Sequence, residues 1–254
     1  MARVIAIVNQ KGGVGKSTTA VNLGAYLARE GRRVLLIDLD PQGNATSGVG
    51  IQKRPGLLGM YEVLMEQRPL SDVIKPTEVE GLDVAPATID LAGAEIELVP
   101  ALSREFRLKQ ALAPVRDAYA YVLIDSPPSL GLLTVNGLAA ADGVLVPIQC
   151  EYYALEGLSQ LVRTIEMVRD HINPQLRIEG VLMTMFDPRT NLSQQVMDDV
   201  VAFFADKVRV YRSVIPRNVR LSEAPSFGQP IVLYDDRSKG AQAYRQLAGE
   251  VLAG

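Results

Sequence analysis

The sequence predicts a single α/β domain over residues 1–254, built on a mostly parallel β-sheet with helices on both faces. Three observations predict it. Short apolar, β-branched runs alternate along the chain with stretches whose apolar residues recur every three or four positions. The first run leads through a glycine-rich turn into the first such stretch. With 254 residues, 48% of them hydrophobic, the chain can bury a large core. Strands separated by helical crossovers lie parallel, and a parallel sheet needs cover on both sides.

Taken in order, strands are predicted near 3–9, 33–38, 82–86, 120–125, 144–149, 178–186 and 208–215. Helices are predicted over 16–30, 103–117, 129–141, 153–172, 192–206 and 238–252. Within 153–172, for example, Leu155, Leu158, Leu161, Val162, Ile165 and Val168 form one apolar face. Ser126-Pro127-Pro128-Ser129 forces an extended turn before the helix that follows. The stretch from Gly43 to Pro69, rich in Gly and Pro, is the least regular and is a candidate mobile cover over a site. No repeat, low-complexity tract or linker divides the chain. Ligands of such sheets bind at the carboxyl ends of the strands, where residues 12–18, Asp40 and Asp125 all fall.

The segment Gln10-Lys11-Gly12-Gly13-Val14-Gly15-Lys16-Ser17-Thr18 follows the strand Val4-Ile5-Ala6-Ile7-Val8 after one residue. Gly12, Gly13 and Gly15 let the backbone curl so that successive N–H groups, Val14 and Thr18 included, face an anion at the start of a helix. Lys16 reaches β- and γ-phosphate oxygens, and the Ser17 hydroxyl can ligate Mg²⁺. The loop therefore predicts binding of a nucleoside triphosphate. It departs from G-x-x-x-x-G-K-[ST] in having Gln10 where the first glycine would stand, and in carrying a second cation, Lys11. Spacing leaves two readings of Lys11 open: a solvated lysine at the loop mouth, or a cation offered to phosphates held by a second subunit.

Asp38 and Asp40 alternate after Val34-Leu35-Leu36-Ile37, so both face one side of a strand before the turn at Pro41-Gln42-Gly43. An Asp at a strand end beside a phosphate loop can hold Mg²⁺ or orient an attacking water. For Asp38 a supporting role and a structural capping role are equally open. Asp125 ends the run Tyr121-Val122-Leu123-Ile124 and fits an aspartate bonded to Mg²⁺-bound water and Ser17.

The segment Lys11–Thr18 resembles the deviant Walker A loop of the ParA/MinD group of P-loop ATPases, whose signature lysine matches Lys11. Leu36–Asn44 resembles the second motif of that group, and Leu123–Ser129 its Walker B region. Gln149–Gly157 and Ile215–Ser226 are similar to the chromosomal ParA (Soj) branch. The resemblance implies a P-loop NTPase fold, ATP and Mg²⁺ as ligands, and a homodimer closing around two triphosphates. Lys11, Lys16 and Asp40 are then the catalytic set, with Lys11 acting on the neighbouring subunit's phosphates and Asp40 positioning the water. Ser17, Asp40 and Asp125 hold the metal. Pro216 and Asn218 contact adenine. Arg189, Arg217 and Arg220 are implied in contacts to double-stranded DNA without sequence preference, and a ParB-like partner stimulates slow hydrolysis. Residues 206–220 add Lys207, Arg209 and Arg212 to this basic cluster against Asp206.

Composition narrows the alternatives. Net charge is −3, so nucleic-acid contact requires a local patch. Tyr211 alone lies among the arginines, too little for a base-stacking platform. The single cysteine, Cys150, fits a reducing cytoplasm as a packed thiol and excludes a cluster that needs two cysteines per subunit. His171, the one histidine, suits a helix end better than catalysis. No apolar run approaches the length of a bilayer span, and a strand starting at residue 3 leaves no room for a signal peptide. A MinD-like membrane-positioning ATPase is the alternative reading, disfavoured because residues 246–254 are short and lack cations. The expectation is a cytoplasmic, nucleoid-associated chromosome-partitioning ATPase.

Overall fold

The fold is seen in a computed structural model that describes residues 1–151, 156–204 and 208–254. Its strands are β1 (Arg3–Ile7), β2 (Val34–Asp38), β3 (Lys75–Pro76), β4 (Leu82–Ala85), β5 (Tyr121–Asp125), β6 (Gly143–Gln149), β7 (Arg177–Phe186) and β8 (Val210–Pro216). The helices are α1 (Lys16–Arg29), α2 (Asn44–Gly48), α3 (Met60–Met65), α4 (Leu91–Glu97), α5 (Arg107–Leu112) and α6 (Leu132–Ala140). They continue with α7 (Glu156–His171), α8 (Asn191–Phe204), α9 (Val219–Glu223), α10 (Ile231–Tyr234) and α11 (Lys239–Ala253). All strands join one sheet in the order β3-β4-β2-β5-β1-β6-β7-β8, parallel throughout except for β3 against β4.

Period-two alternation sorts each strand between two cores. Val4 and Ala6 of β1 face one side, with Leu64 of α3, Leu91 of α4, Leu108 of α5, Leu133 of α6 and Leu161 of α7 over them. Ile5 and Ile7 face the other, under Leu23 of α1, Leu221 of α9, Ile231 of α10 and Leu247 of α11. Helices thus cover both faces, as the sequence predicts. Arg3 fastens the start of β1. Its guanidinium donates to Glu179 of β7 at 2.9 and 2.8 Å and to the Val251 carbonyl of α11 at 2.9 Å.

All seven predicted strands are present, with ends shifted by at most two residues. The two-residue β3 is too short to carry any alternation. The helix predicted over 103–117 is a correction: it breaks into a 3₁₀ turn at Arg104–Phe106, α5, and a second turn at Arg116–Ala118. Ala113 keeps helical angles (φ −50°, ψ −45°), but Pro114 has no N–H to donate to the next turn, so α5 ends at Leu112. The irregular stretch from Gly43 to Pro69 holds two short helices, α2 and α3, with Ala45, Thr46, Met60 and Leu64 buried. His171 closes α7 with its Nδ1 3.0 Å from the Met167 carbonyl, and burial pushes the Cys150 thiol up to about 11, an inert packed group. Leu155 of the predicted apolar face, Asp206 and Lys207 of the basic cluster, and residues 152–155 of the 149–157 motif lie outside the described residues.

Candidate functional site

The strand order places β1 between β5 and β6, and the chain crosses over β1 in passing from one to the other. This is the switch point at which parallel sheets open a crevice. The loop leaving β1 fills it. Gly13 (φ 76°) and Gly15 (φ 89°) adopt the left-handed backbone that glycine permits, and α1 starts with no side chain capping it, leaving its first N–H groups for an anion. The Thr184 hydroxyl of β7 donates to the Val14 carbonyl at 2.9 Å and holds the loop down. The Val14 side chain itself is buried, so this residue serves through its backbone.

An open cavity of about 770 Å³ begins at this loop. Gly12, Gly13, Gly15, Lys16, Ser17 and Thr18 line one end, Asp40 borders it, and Pro216 and Asn218 stand at the other. Lys16 is 6% exposed, its Nζ 3.2 Å from the Lys11 carbonyl. Burial lowers its pKa against the pull of Asp125 and Asp40.

Asp38 and Asp125 sit side by side in register on β2 and β5. Burial raises the Asp38 carboxyl to about 6, partly offset by bonds from Thr46. Those bonds settle its role: Asp38 accepts from the Thr46 N–H (2.8 Å), the Thr46 hydroxyl (2.7 Å) and the Asp40 N–H (3.1 Å). It anchors both α2 and the backbone of Asp40. Asp125 is different. Its two carboxylate oxygens are buried with no partner at good hydrogen-bond geometry, and burial together with Asp38 raises its pKa well above the usual range against the weaker pull of the nearby Ser17 hydroxyl and Lys16. An orphaned hard-oxygen donor beside Ser17 and Lys16 fits a Mg²⁺–water shell, since Mg²⁺ keeps most of its ligands as water and phosphate oxygen. Asp40 Oδ1 accepts from the Gln42 N–H at 2.9 Å, closing its own turn.

Lys11 does not line the cavity. Its Nζ lies 2.6 Å from Glu151 Oε2 after β6, and its side chain is 46% exposed. At the far end of the cavity, Asn218 Oδ1 accepts from the Leu221 N–H at 3.3 Å and caps α9. One lone pair of that oxygen is thus committed, and the side-chain amide is the group left for a ligand. Arg217 also lines the cavity, its N–H bonded to the Phe186 carbonyl.

Among the described residues, the arginines of the basic cluster read from 206–220 do not form one patch, which is a correction. Arg209 and Arg212 lie at the start of β8 against Glu250 of α11. Arg217 and Arg220 follow its end, with Arg217 about 17 Å from Arg212 and about 26 Å from Arg209 at roughly 3.3 Å per residue. Arg189, 85% exposed, forks onto Asp187 at 2.9 and 2.7 Å and holds that carboxyl down to about 2. Arg220 pairs with Glu223 at 3.0 Å and Asp235 at 3.5 Å.

Sequence reading misses the scaffold behind the site. Asn22 of α1 donates to the Thr18 carbonyl (2.8 Å) and accepts from the Ile231 N–H (2.7 Å). Thr19 and Tyr244 share a buried hydroxyl contact of 3.1 Å between α1 and α11. The Asn22–Ile231 and Thr19–Tyr244 partners are more than 200 residues apart, and no spacing announces them.

A family model described as an AAA domain matches residues 2–178. The chain is 62% identical over 253 residues to the sporulation initiation inhibitor protein Soj of Bacillus subtilis, covering 100% of this chain and 99% of that one. It is 56% identical over 253 residues to the chromosome partitioning protein ParA of Myxococcus xanthus, covering 99% and 88%. A crystal structure of cobyrinic acid a,c-diamide synthase from Mycobacterium smegmatis, with bound ADP and magnesium, superposes with a TM-score of 0.87. It shares 43% identity, over 99% of this chain and 94% of that one.

Proposed function

The chain belongs to the Soj/ParA family of chromosome-partitioning ATPases, and from that premise we propose that it is an ATP-gated DNA-binding switch. Mg·ATP occupies the cavity, with its phosphates on Gly12–Thr18, its metal held through Ser17, Asp40 and Asp125, and its base between Pro216 and the Asn218 amide. Mg²⁺ supplies neutralisation of the charge that develops on the phosphates. Lys16 binds the chain's own phosphates. Lys11 exchanges Glu151 for the phosphates of a second subunit, so that two copies close around two nucleotides. Asp40 turns from its own loop to orient the water, and hydrolysis releases the pair. The intrinsic rate is slow, because the electrostatic clamp is complete only across the interface, and a ParB-like partner accelerates it. Arg189, Arg217 and Arg220 share one end of the sheet and present the DNA contact. The protein then acts in the cytoplasm on the nucleoid.

The observation that carries this reading is the division of labour between the two lysines. Lys16 is buried and lines the chain's own cavity, whereas Lys11 is exposed, does not line it and pairs with Glu151. A membrane-positioning role finds less support. The apolar face of α11 is spent on the core through Ala241, Tyr244, Leu247 and Val251, and no described helix is long and apolar enough to cross a membrane. The test is co-sedimentation with plasmid DNA and with liposomes, each with ATP, ADP or no nucleotide. Retention on DNA with ATP alone is expected. Retention on liposomes, or DNA binding indifferent to nucleotide, would reject the proposal.

A further inference from the structure

We propose that Lys53 is a positioning residue for hydrolysis, acting by locking the peptide that closes the Asp40 turn. The inference rests on Asp40 as the group that orients water. Asp40-Pro41-Gln42-Gly43 is a β-turn closed by the Gly43 N–H on the Asp40 carbonyl at 2.8 Å. The Gln42–Gly43 peptide that supplies this N–H is gripped at its other end as well. Lys53 Nζ donates to the Gln42 carbonyl at 2.5 Å and to the Gly43 carbonyl at 3.3 Å. The peptide plane is therefore held by its N–H from inside and by its C=O from outside.

That grip matters because the position is prone to flip. Gly43 has φ 60°, and a glycine lets the preceding peptide rotate between two orientations at little steric cost. A flip would turn the Gly43 N–H off Asp40 and free the backbone that aims its carboxylate. The inner side of the turn is anchored by the buried Asp38, which holds the Asp40 and Thr46 N–H groups. Lys53 supplies the outer anchor. The chain leaves the turn through α2, reverses at Gly50 (φ 89°), returns Ile51 to the Thr46 carbonyl, and brings the ammonium back to the turn. Lys53 has no carboxylate partner among the described ion pairs, so its charge is directed at these two carbonyls. Its stem fits only because residue 43 lacks a side chain: a Cβ there would lie 2.8 Å from Lys53 Cδ and 2.8 Å from the Ala87 carbonyl oxygen.

The experiment compares the wild-type chain with Lys53→Met and Lys53→Arg. Two readouts are taken: steady-state ATP hydrolysis with Mg²⁺ and DNA, and amide hydrogen exchange across residues 42–45 without nucleotide. Lys53→Met is expected to lower kcat about tenfold with KM for ATP unchanged, the signature of lost alignment rather than lost binding. It is also expected to speed exchange over 42–45. Lys53→Arg, which keeps the charge and the donors, should restore both. Unchanged exchange in Lys53→Met overturns the assignment, as does a rise in KM matching the fall in kcat, or an Arg variant no better than Met. If the wild-type chain itself hydrolyses no ATP, the ATPase reading fails, and the exchange measurement alone still decides whether Lys53 locks the turn.

Discussion

Single side chains divide into those the cavity uses directly and those that hold them. Lys16 is of the first kind: buried, at the start of α1, with a pKa lowered by desolvation, it gains most from an arriving triphosphate. Lys16→Ala is expected to abolish the thermal stabilisation that Mg·ATP confers, measured as the nucleotide-dependent rise in Tm; a rise of wild-type size would refute its role. Asp40→Ala should lengthen the life of the ATP-bound dimer, read by gel filtration with Mg·ATP. Recovery of monomer alone would count against Asp40 as the residue that orients water. Asp38 shows why residue type and position alone leave roles open. It stands two residues before Asp40 at the end of β2, yet Thr46, eight residues later, donates twice to its Oδ2 while the Asp40 N–H donates to its Oδ1.

At the scale of elements, legibility followed the range of the signal. Strands β1, β2, β5, β6 and β7 were readable because their apolar runs are local, and the phosphate loop because its glycines, lysine and serine are contiguous. The short helices α2, α3, α9 and α10 were not, since none is long enough to show a periodic face. The apparent basic cluster failed for a related reason: adjacency in an extended strand is distance in space. Long-range clasps carried no signal at all. One of them, between Thr19 and Tyr244, ties the helix that begins the phosphate site to the last helix of the chain. Tyr244→Phe should cost about 1 kcal/mol of stability, the usual net value of one hydrogen bond, measured by denaturant unfolding. The Arg3–Glu179 fork is worth more. Glu179 is 1% exposed and Arg3 26%, so Glu179→Ala should cost roughly 2–3 kcal/mol, below the figure for a fully buried pair because Arg3 stays partly wet.

For the molecule as a whole, the proposed DNA surface sits at the same sheet end as the nucleotide. Arg217 belongs to both, lining the cavity while its backbone is bonded next to the loop that carries Arg189. Arg189→Glu with Arg220→Glu is expected to leave ATP-dependent dimerisation intact and to remove DNA retention, with wild-type binding weakening steeply as salt rises. Retention surviving in the double variant would move the surface elsewhere.

The fork that Asp187 makes on Arg189 has a consequence for such a surface. A phosphate approaching that guanidinium meets a seat already taken, in the same two-pronged manner, by a carboxylate from its own loop. Swapping one oxyanion for another yields little per contact and reverses quickly. Residence of the proposed dimer on a polymer would then depend on how many subunits are seated at once, and a lone copy would slip away as soon as its companion let go.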